Sequence, residues 1–140
     1  MFSEIVPRDI SAAELAEQAP AGIILSGGPA SVYEPGAYEI DQAIFDLGIP
    51  VLGICYGHQL LADGLGGTVD RNDVAEYGPA DLAVTDESVL FAGLPMEQPV
   101  WMSHRDAVSV APPGFTVTAS TAESPVAAME DAARGLFGVQ

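Results

Sequence analysis

Residues 51–61 read VLGICYGHQLL, an apolar run that passes through the only cysteine of the 140-residue chain, Cys55, into a segment of helical character. A short apolar run closed by glycine predicts a buried strand, and the residues after it predict a helix beginning near Gly57. In a strand–turn–helix the turn residue is held at the carboxyl end of the sheet, where ligands gather in α/β folds. The pattern from Gly53 to Gly57, glycine–x–cysteine–x–glycine, has the form of a nucleophile elbow with cysteine in the place of serine. Each glycine has a physical reason: without a Cβ, Gly53 and Gly57 let strand and helix approach closely around a strained turn. A thiol there sits at the positive end of the helix dipole, which favours the thiolate, the nucleophilic form. A lone cysteine is ordinarily a small buried hydrophobe; the elbow pattern argues for a reagent instead.

Acyl transfer also requires donors for an oxyanion. The backbone N–H of Tyr56, next after the nucleophile, is one, and a second is expected from a neighbouring strand-end loop. The stretch AGIILSGGP (21–29) supplies such a loop, a predicted buried parallel strand closing on Ser26-Gly27-Gly28-Pro29. The glycine pair lets backbone N–H groups face a ligand without side-chain obstruction. Gln59 lies one helical turn beyond Cys55, where its amide either reaches a ligand at the elbow or faces solvent.

Working outward, residues 2–9 (FSEIVPRD) read as a short strand. Residues 11–18 (SAAELAEQ) read as a helix with Ser11 as N-cap and Glu14 completing a capping box. Residues 39–48 place Ile40, Ala43, Ile44 and Leu47 at helical spacing with Gly48 as the stop, and IPVLGI (49–54) repeats the buried-strand pattern. This alternation predicts right-handed crossovers and a parallel sheet covered on both faces. From Thr68 onward the runs are short, β-rich and separated by Pro, Gly and Asp, which predicts an antiparallel layer. The expected class is α/β, flavodoxin-like: one domain with a mostly parallel central sheet, helices on both faces and a small antiparallel layer. The chain opens on one predicted strand and closes on another, GLFGVQ (135–140).

About half the residues are apolar (49%), enough for a core, and no charged-then-apolar leader or apolar run near 18 residues is present. A cytoplasmic protein is expected. Twenty acidic residues stand against four arginines, Arg8, Arg71, Arg105 and Arg134, with no lysine, for a net charge of −16. Such a balance repels nucleic acid and anionic membranes, so neither is expected as a partner. A single cysteine forms no internal disulfide, and no metal-ligand cluster is visible.

The stretches GIILSGGPASVY, PVLGICYGHQLLADGLGG, EYG, VWMSHRD and GLFGVQ, in that order, resemble the class I (triad) glutamine amidotransferases over essentially all of the chain. SGGP with ICYG carries the superfamily resemblance; VWMSH and the EYG after the elbow helix resemble the glutaminase domains of GMP synthases. The resemblance implies that Cys55 attacks the glutamine side-chain amide to form a γ-glutamyl thioester, releasing ammonia. It implies an oxyanion hole from the N–H groups of Gly28 and Tyr56, and substrate-holding roles for Gln59, Ser103, His104, Arg105 and Asp106. It implies glutamine as substrate and a synthetase domain or subunit of the ATP-pyrophosphatase type as partner. ATP and magnesium would belong to that partner, and no cofactor to the glutaminase domain. Relatives carry glycine at the place of Arg105, whose guanidinium would either crowd glutamine or pair with its carboxylate. In the family the base and its orienting acid lie in an HPE motif one residue beyond a GVQ such as 138–140. A first strand and its FGSQ turn precede the position of Met1. The expectation is therefore a domain trimmed at both ends, with Cys55 lacking its base. His58, expected at the surface, and His104, expected in the pocket, are the two imidazoles available as substitutes. The competing expectations are an amidotransferase serving anthranilate or carbamoyl phosphate synthesis, and a non-enzymatic homologue that binds glutamine or a partner.

Overall fold

The computed structural model describes residues 2–85 and 88–140, with residues 72–74 described by their backbone alone. Ser11 caps α1 (Ala12–Gln18) as the spacing predicts: its Oγ accepts from Glu14 N at 3.2 Å, and its own N–H donates to Glu14 Oε2 at 2.9 Å. Residues 2–6 do not form the expected strand. They pair with no ladder, and Ile5 is fully exposed, so alternation there has no sheet edge to act on. Residues 39–48 form only a short 3₁₀ turn, Gln42–Asp46. Asp41 caps it through Ala43 N and also binds Ala12 N at 2.9 Å, while Gly48 at φ 71° ends it. Too little chain remains between these two stops to nucleate a stable α-helix. Ile44 and the unforeseen Phe45 enter the core, whereas Ala43 is exposed.

β1 (Ile23–Leu25), β2 (Val51–Ile54), β3 (Thr68–Val84), β4 (Glu97–Val110), β5 (Thr116–Ser120), β6 (Ala128–Asp131) and β7 (Leu136–Val139) form one sheet in the order β1-β2-β7-β6-β5-β3-β4. The α/β class stands, but the proportions differ from expectation. Only the β1–β2 and β2–β7 ladders are parallel; the other four are antiparallel and continue the same sheet. The runs between 68 and 110, read as several short strands, are two long ones, whereas β5 and β6 are short as expected. Pro79 lies where β3 has β4 on one side and meets β5 only further on, at Ala83 and Val84, and Pro99 lies on the edge strand β4. At such unpaired edges a missing N–H costs no ladder bond, so proline does not punctuate the strand.

α2 (Tyr56–Gly64) seats on the parallel end. It joins α1 and the 3₁₀ turn in one buried cluster with Val51, Val108, Met129 and Leu136. The helices therefore lie on one face rather than two. On the other face, Leu82, Met102, Ala119 and Ala128 form a second cluster with Phe91 packed on it, while Ile24 and Ile54 are 66% and 38% exposed.

Three glycines let α2 come this close. Gly53 and Gly138 are register partners on β2 and β7. A Cβ on Gly53 would lie 2.5 Å from Gly57 O, one on Gly138 would collide with the His58 ring, and one on Gly57 would collide with the Leu25 carbonyl. We expect Gly57→Ala to lower unfolding free energy by about 1–3 kcal/mol in urea titration, since the blocking group is backbone and cannot rotate away. Gly22→Ala, whose Cβ would meet only Pro50 O at 3.6 Å, should fall within about 0.5 kcal/mol of the parent.

Candidate active site

Cys55 is the N-cap residue of α2 and holds φ 51°, ψ −106°, a backbone state that residues with a Cβ rarely adopt. Two bonds enforce it. Its N–H donates to Val139 O at 2.8 Å, and its carbonyl accepts from Gln59 N at 3.0 Å as the first helical bond. The half-buried side chain makes no capping hydrogen bond and opens into a cleft of about 590 Å³, a size typical of small-ligand sites.

The loop after β1 packs against this elbow. A Cβ on Gly27 would lie 3.5 Å from Cys55 Cβ, and one on Gly28 would lie 3.7 Å from Tyr56 Cβ. The two expected oxyanion-hole residues are thus brought together, Gly28 lining the cleft beside Cys55. Tyr56 contributes backbone only. Its buried phenol turns away, donating to Tyr38 O and accepting from Tyr38 N, both at 3.0 Å, and burial raises its pKa. Arg8 stacks on Tyr38 at 4.1 Å, fixing that loop from outside.

The opposite wall is the middle of β4, where Ser103, His104, Arg105 and Asp106 all line the cleft. Asp106 is its hub. Its carboxylate accepts from Ser31 Oγ and from Tyr33 OH (2.8 Å), and its carbonyl accepts from Gln59 Nε2 (3.0 Å) and His104 Nδ1 (3.0 Å). Loss of solvent and the Asp106 carboxylate both hold the Tyr33 phenol above its ordinary value. Gln59 is buried rather than solvent-facing, and both its amide hydrogens are committed, to Asp106 O and to Gln140 Oε1 at 3.2 Å. Only its Oε1 remains for a ligand.

Neither histidine offers a base to Cys55. His104 Nδ1 faces a carbonyl and so carries hydrogen, and Nε2 lies 2.9 Å from Glu76 Oε2, which also accepts from Thr121 Oγ1. His58 is fully buried, not a surface residue as expected. The space above Gly138 admits its ring, and Nε2–H donates to Val126 O at 2.9 Å. Nδ1 has no partner, and burial pushes the ring's pKa down to about 4. Among the described residues no imidazole is hydrogen-bonded to the thiol.

Sequence reasoning missed Ser31, Tyr33, Glu34 and Arg71 on the cleft wall. Arg71 is the cross-strand partner of Asp106, a relation that exists only once the β3–β4 register, with its irregularity between Arg71 and Glu76, is set. The EYG stretch gave the one usable signal, since Tyr77 lines the cleft and Glu76 anchors His104.

This elbow, glycine loop and cleft coincide with a match of residues 1–140 to the family model "Glutamine amidotransferase class-I". The chain belongs to the class I glutamine amidotransferase family. Among curated relatives, GMP synthase [glutamine-hydrolyzing] of Parafrankia sp. is 60% identical over 140 residues, and that of Streptomyces coelicolor 55% over 141. Each alignment covers all of this chain but 26% and 27% of the relative, so the amidotransferase chain spans about a quarter of their length. A crystal structure from Thermoplasma acidophilum, of a protein named for GMP synthase, superposes at TM-score 0.81 with 30% identity, covering 98% of this chain and 69% of that one. A glutamine amidotransferase from Thermotoga maritima gives 0.76 at 25% identity, covering 88% and 56%. In this fold Gly28 and Tyr56 pack against each other beside Cys55, and no described helix is long and apolar enough to cross a membrane.

Buried neutral His58 gives this amidotransferase a pH signature. The unfolded ring takes up a proton near pH 6.5 and the folded ring only near 4, so the folded state is disfavoured as pH falls through that window. The loss is on the order of 3 kcal/mol between pH 7 and 4. Replacing His58 by Met should remove that share of the acid destabilisation, as urea titrations of parent and H58M at pH 7, 5.5 and 4.5 would show.

Proposed function

We propose that this chain carries the glutamine-hydrolysing half of a GMP synthase. The observation that supports the reading most strongly is the half-exposed Cys55 on its strained turn, with the Gly28 loop against it at one end of a cleft. In this reading the thiolate attacks the glutamine carboxamide carbon, and the oxyanion is held by the N–H groups of Gly28 and Tyr56. The tetrahedral adduct collapses, the amide nitrogen takes a proton and leaves as ammonia, and water hydrolyses the γ-glutamyl thioester to glutamate. Ser103, His104 and Asp106 shape the pocket for the amino-acid end of the substrate. Gln59 Oε1 adds one acceptor.

The thiol needs a proton acceptor. β2 and β7 run parallel and end side by side, Ile54 opposite Val139, so chain joined after Gln140 emerges beside Cys55. A base supplied from there would complete the site, in keeping with the resemblance. The names of the curated relatives favour GMP synthesis over anthranilate or carbamoyl phosphate synthesis. The ammonia would then serve a synthetase domain that converts XMP to GMP, with ATP and magnesium entering at that domain, in the cytoplasm.

A glutamine analogue with an electrophilic ketone in place of the carboxamide tests the reading. It should label Cys55 with saturation kinetics, read by intact mass, with glutamine protecting and C55A unlabelled. Labelling that stays linear in reagent, like that by iodoacetamide, would contradict it. With both of its imidazoles engaged away from the thiol, residues 1–140 alone should release ammonia from glutamine roughly 10⁴-fold more slowly than the full-length Parafrankia relative.

A further inference from the structure

The chain has four cationic side chains, all arginines, against 20 carboxylates. Two lie away from the cleft, and each is engaged by the protein: Arg134 pairs with Asp46 at 3.1 Å, and Arg8 stacks on Tyr38. The other two, Arg71 and Arg105, both line the cleft that holds Cys55, and both are exposed. Among the described residues neither makes a hydrogen bond or an ion pair.

Their freedom is built in. Arg71 stands opposite Asp106 in the β3–β4 ladder, the natural place for an ion pair, yet the Asp106 carboxylate is taken by Ser31 and Tyr33. The Glu76 carboxylate is likewise committed to His104 and Thr121. These two face a cleft in which the Asp106 carboxylate is already committed. Two forked donors lining one cleft suit a planar carboxylate.

We infer that Arg71 and Arg105 together form a subsite for the α-carboxylate of the amino acid whose side chain reaches Cys55. This rests on the glutaminase reading and assigns two specificity-determining residues to it. In a molecule of charge −16 the pair also provides the local field that draws an anionic group to an otherwise repelling surface. Glu34, on the same cleft, supplies the opposite charge for the ammonium group of such a zwitterion.

The test is saturable labelling of Cys55 by the ketone analogue, with rate and half-saturation measured separately. R71A/R105A should raise the half-saturation concentration by about 10- to 100-fold, the loss of one or two charged hydrogen bonds, and change the limiting rate less than threefold. R71K/R105K should recover part of the affinity. Glutamine should protect the parent at least tenfold better than glutaminamide, which lacks the carboxylate, and in R71A/R105A the two should protect alike. That loss of discrimination is a readout that general loosening of the fold would not give. Equal half-saturation in parent and R71A/R105A, or a double variant that still prefers glutamine tenfold, would overturn the inference while leaving the glutaminase reading intact. Absence of saturation in the parent would instead overturn the glutaminase reading and the inference with it.

Discussion

The site depends on how closely α2 lies on the parallel strands. Gly53 and Gly57 remove side chains from the seam between strand and helix, and Gly138 opens a place for the His58 ring. With β2 ending at Ile54 and the helix starting at Tyr56, a single residue turns the chain from sheet to helix. Cys55 is that residue, and its positive φ is the cost, of order 1–3 kcal/mol for a residue with a Cβ. The bond from Cys55 N to Val139 O ties the turn to β7, so the elbow is over-determined by ladder, helix and seam together.

The same geometry distributes polar roles around the cleft. Asp106 joins the β1-side loop, the elbow helix and β4 through hydrogen bonds from Ser31, Tyr33, Gln59 and His104. Such a hub holds the walls at fixed separation without placing a charged side chain on the thiol. It also leaves Arg71 and Arg105 exposed on the cleft. The chain as a whole is acidic, yet two of its four arginines line the cleft that holds Cys55.

Legibility in the sequence follows the range of the interactions. The elbow, the SGGP loop and the Ser11 capping box are local patterns whose physics is complete within a few residues, and all three stand in the structure. The long β3–β4 hairpin escapes a local reading because proline and glycine look alike in a turn and on an unpaired strand edge; only the ladder tells them apart. The position of His58 escapes it for a similar reason. Its burial is decided by Gly138, 80 positions further on, through a parallel pairing that no local pattern encodes. Arg71 enters the cleft through cross-strand register, and the strand expected at residues 2–9 has local alternation but no edge to join.

Cys55 occupies a backbone state imposed on it by the seam, and everything at the thiol rests on that constraint. Comparison of Cys55→Gly with Cys55→Ala by urea unfolding tests it directly, since both remove the thiol and differ only in the Cβ. At an ordinary position glycine is about 0.5–1 kcal/mol less stable than alanine. A seam-imposed turn predicts the reverse here, with C55G more stable than C55A by about 1 kcal/mol as the strain is released. C55A more stable than C55G by the ordinary margin would contradict it.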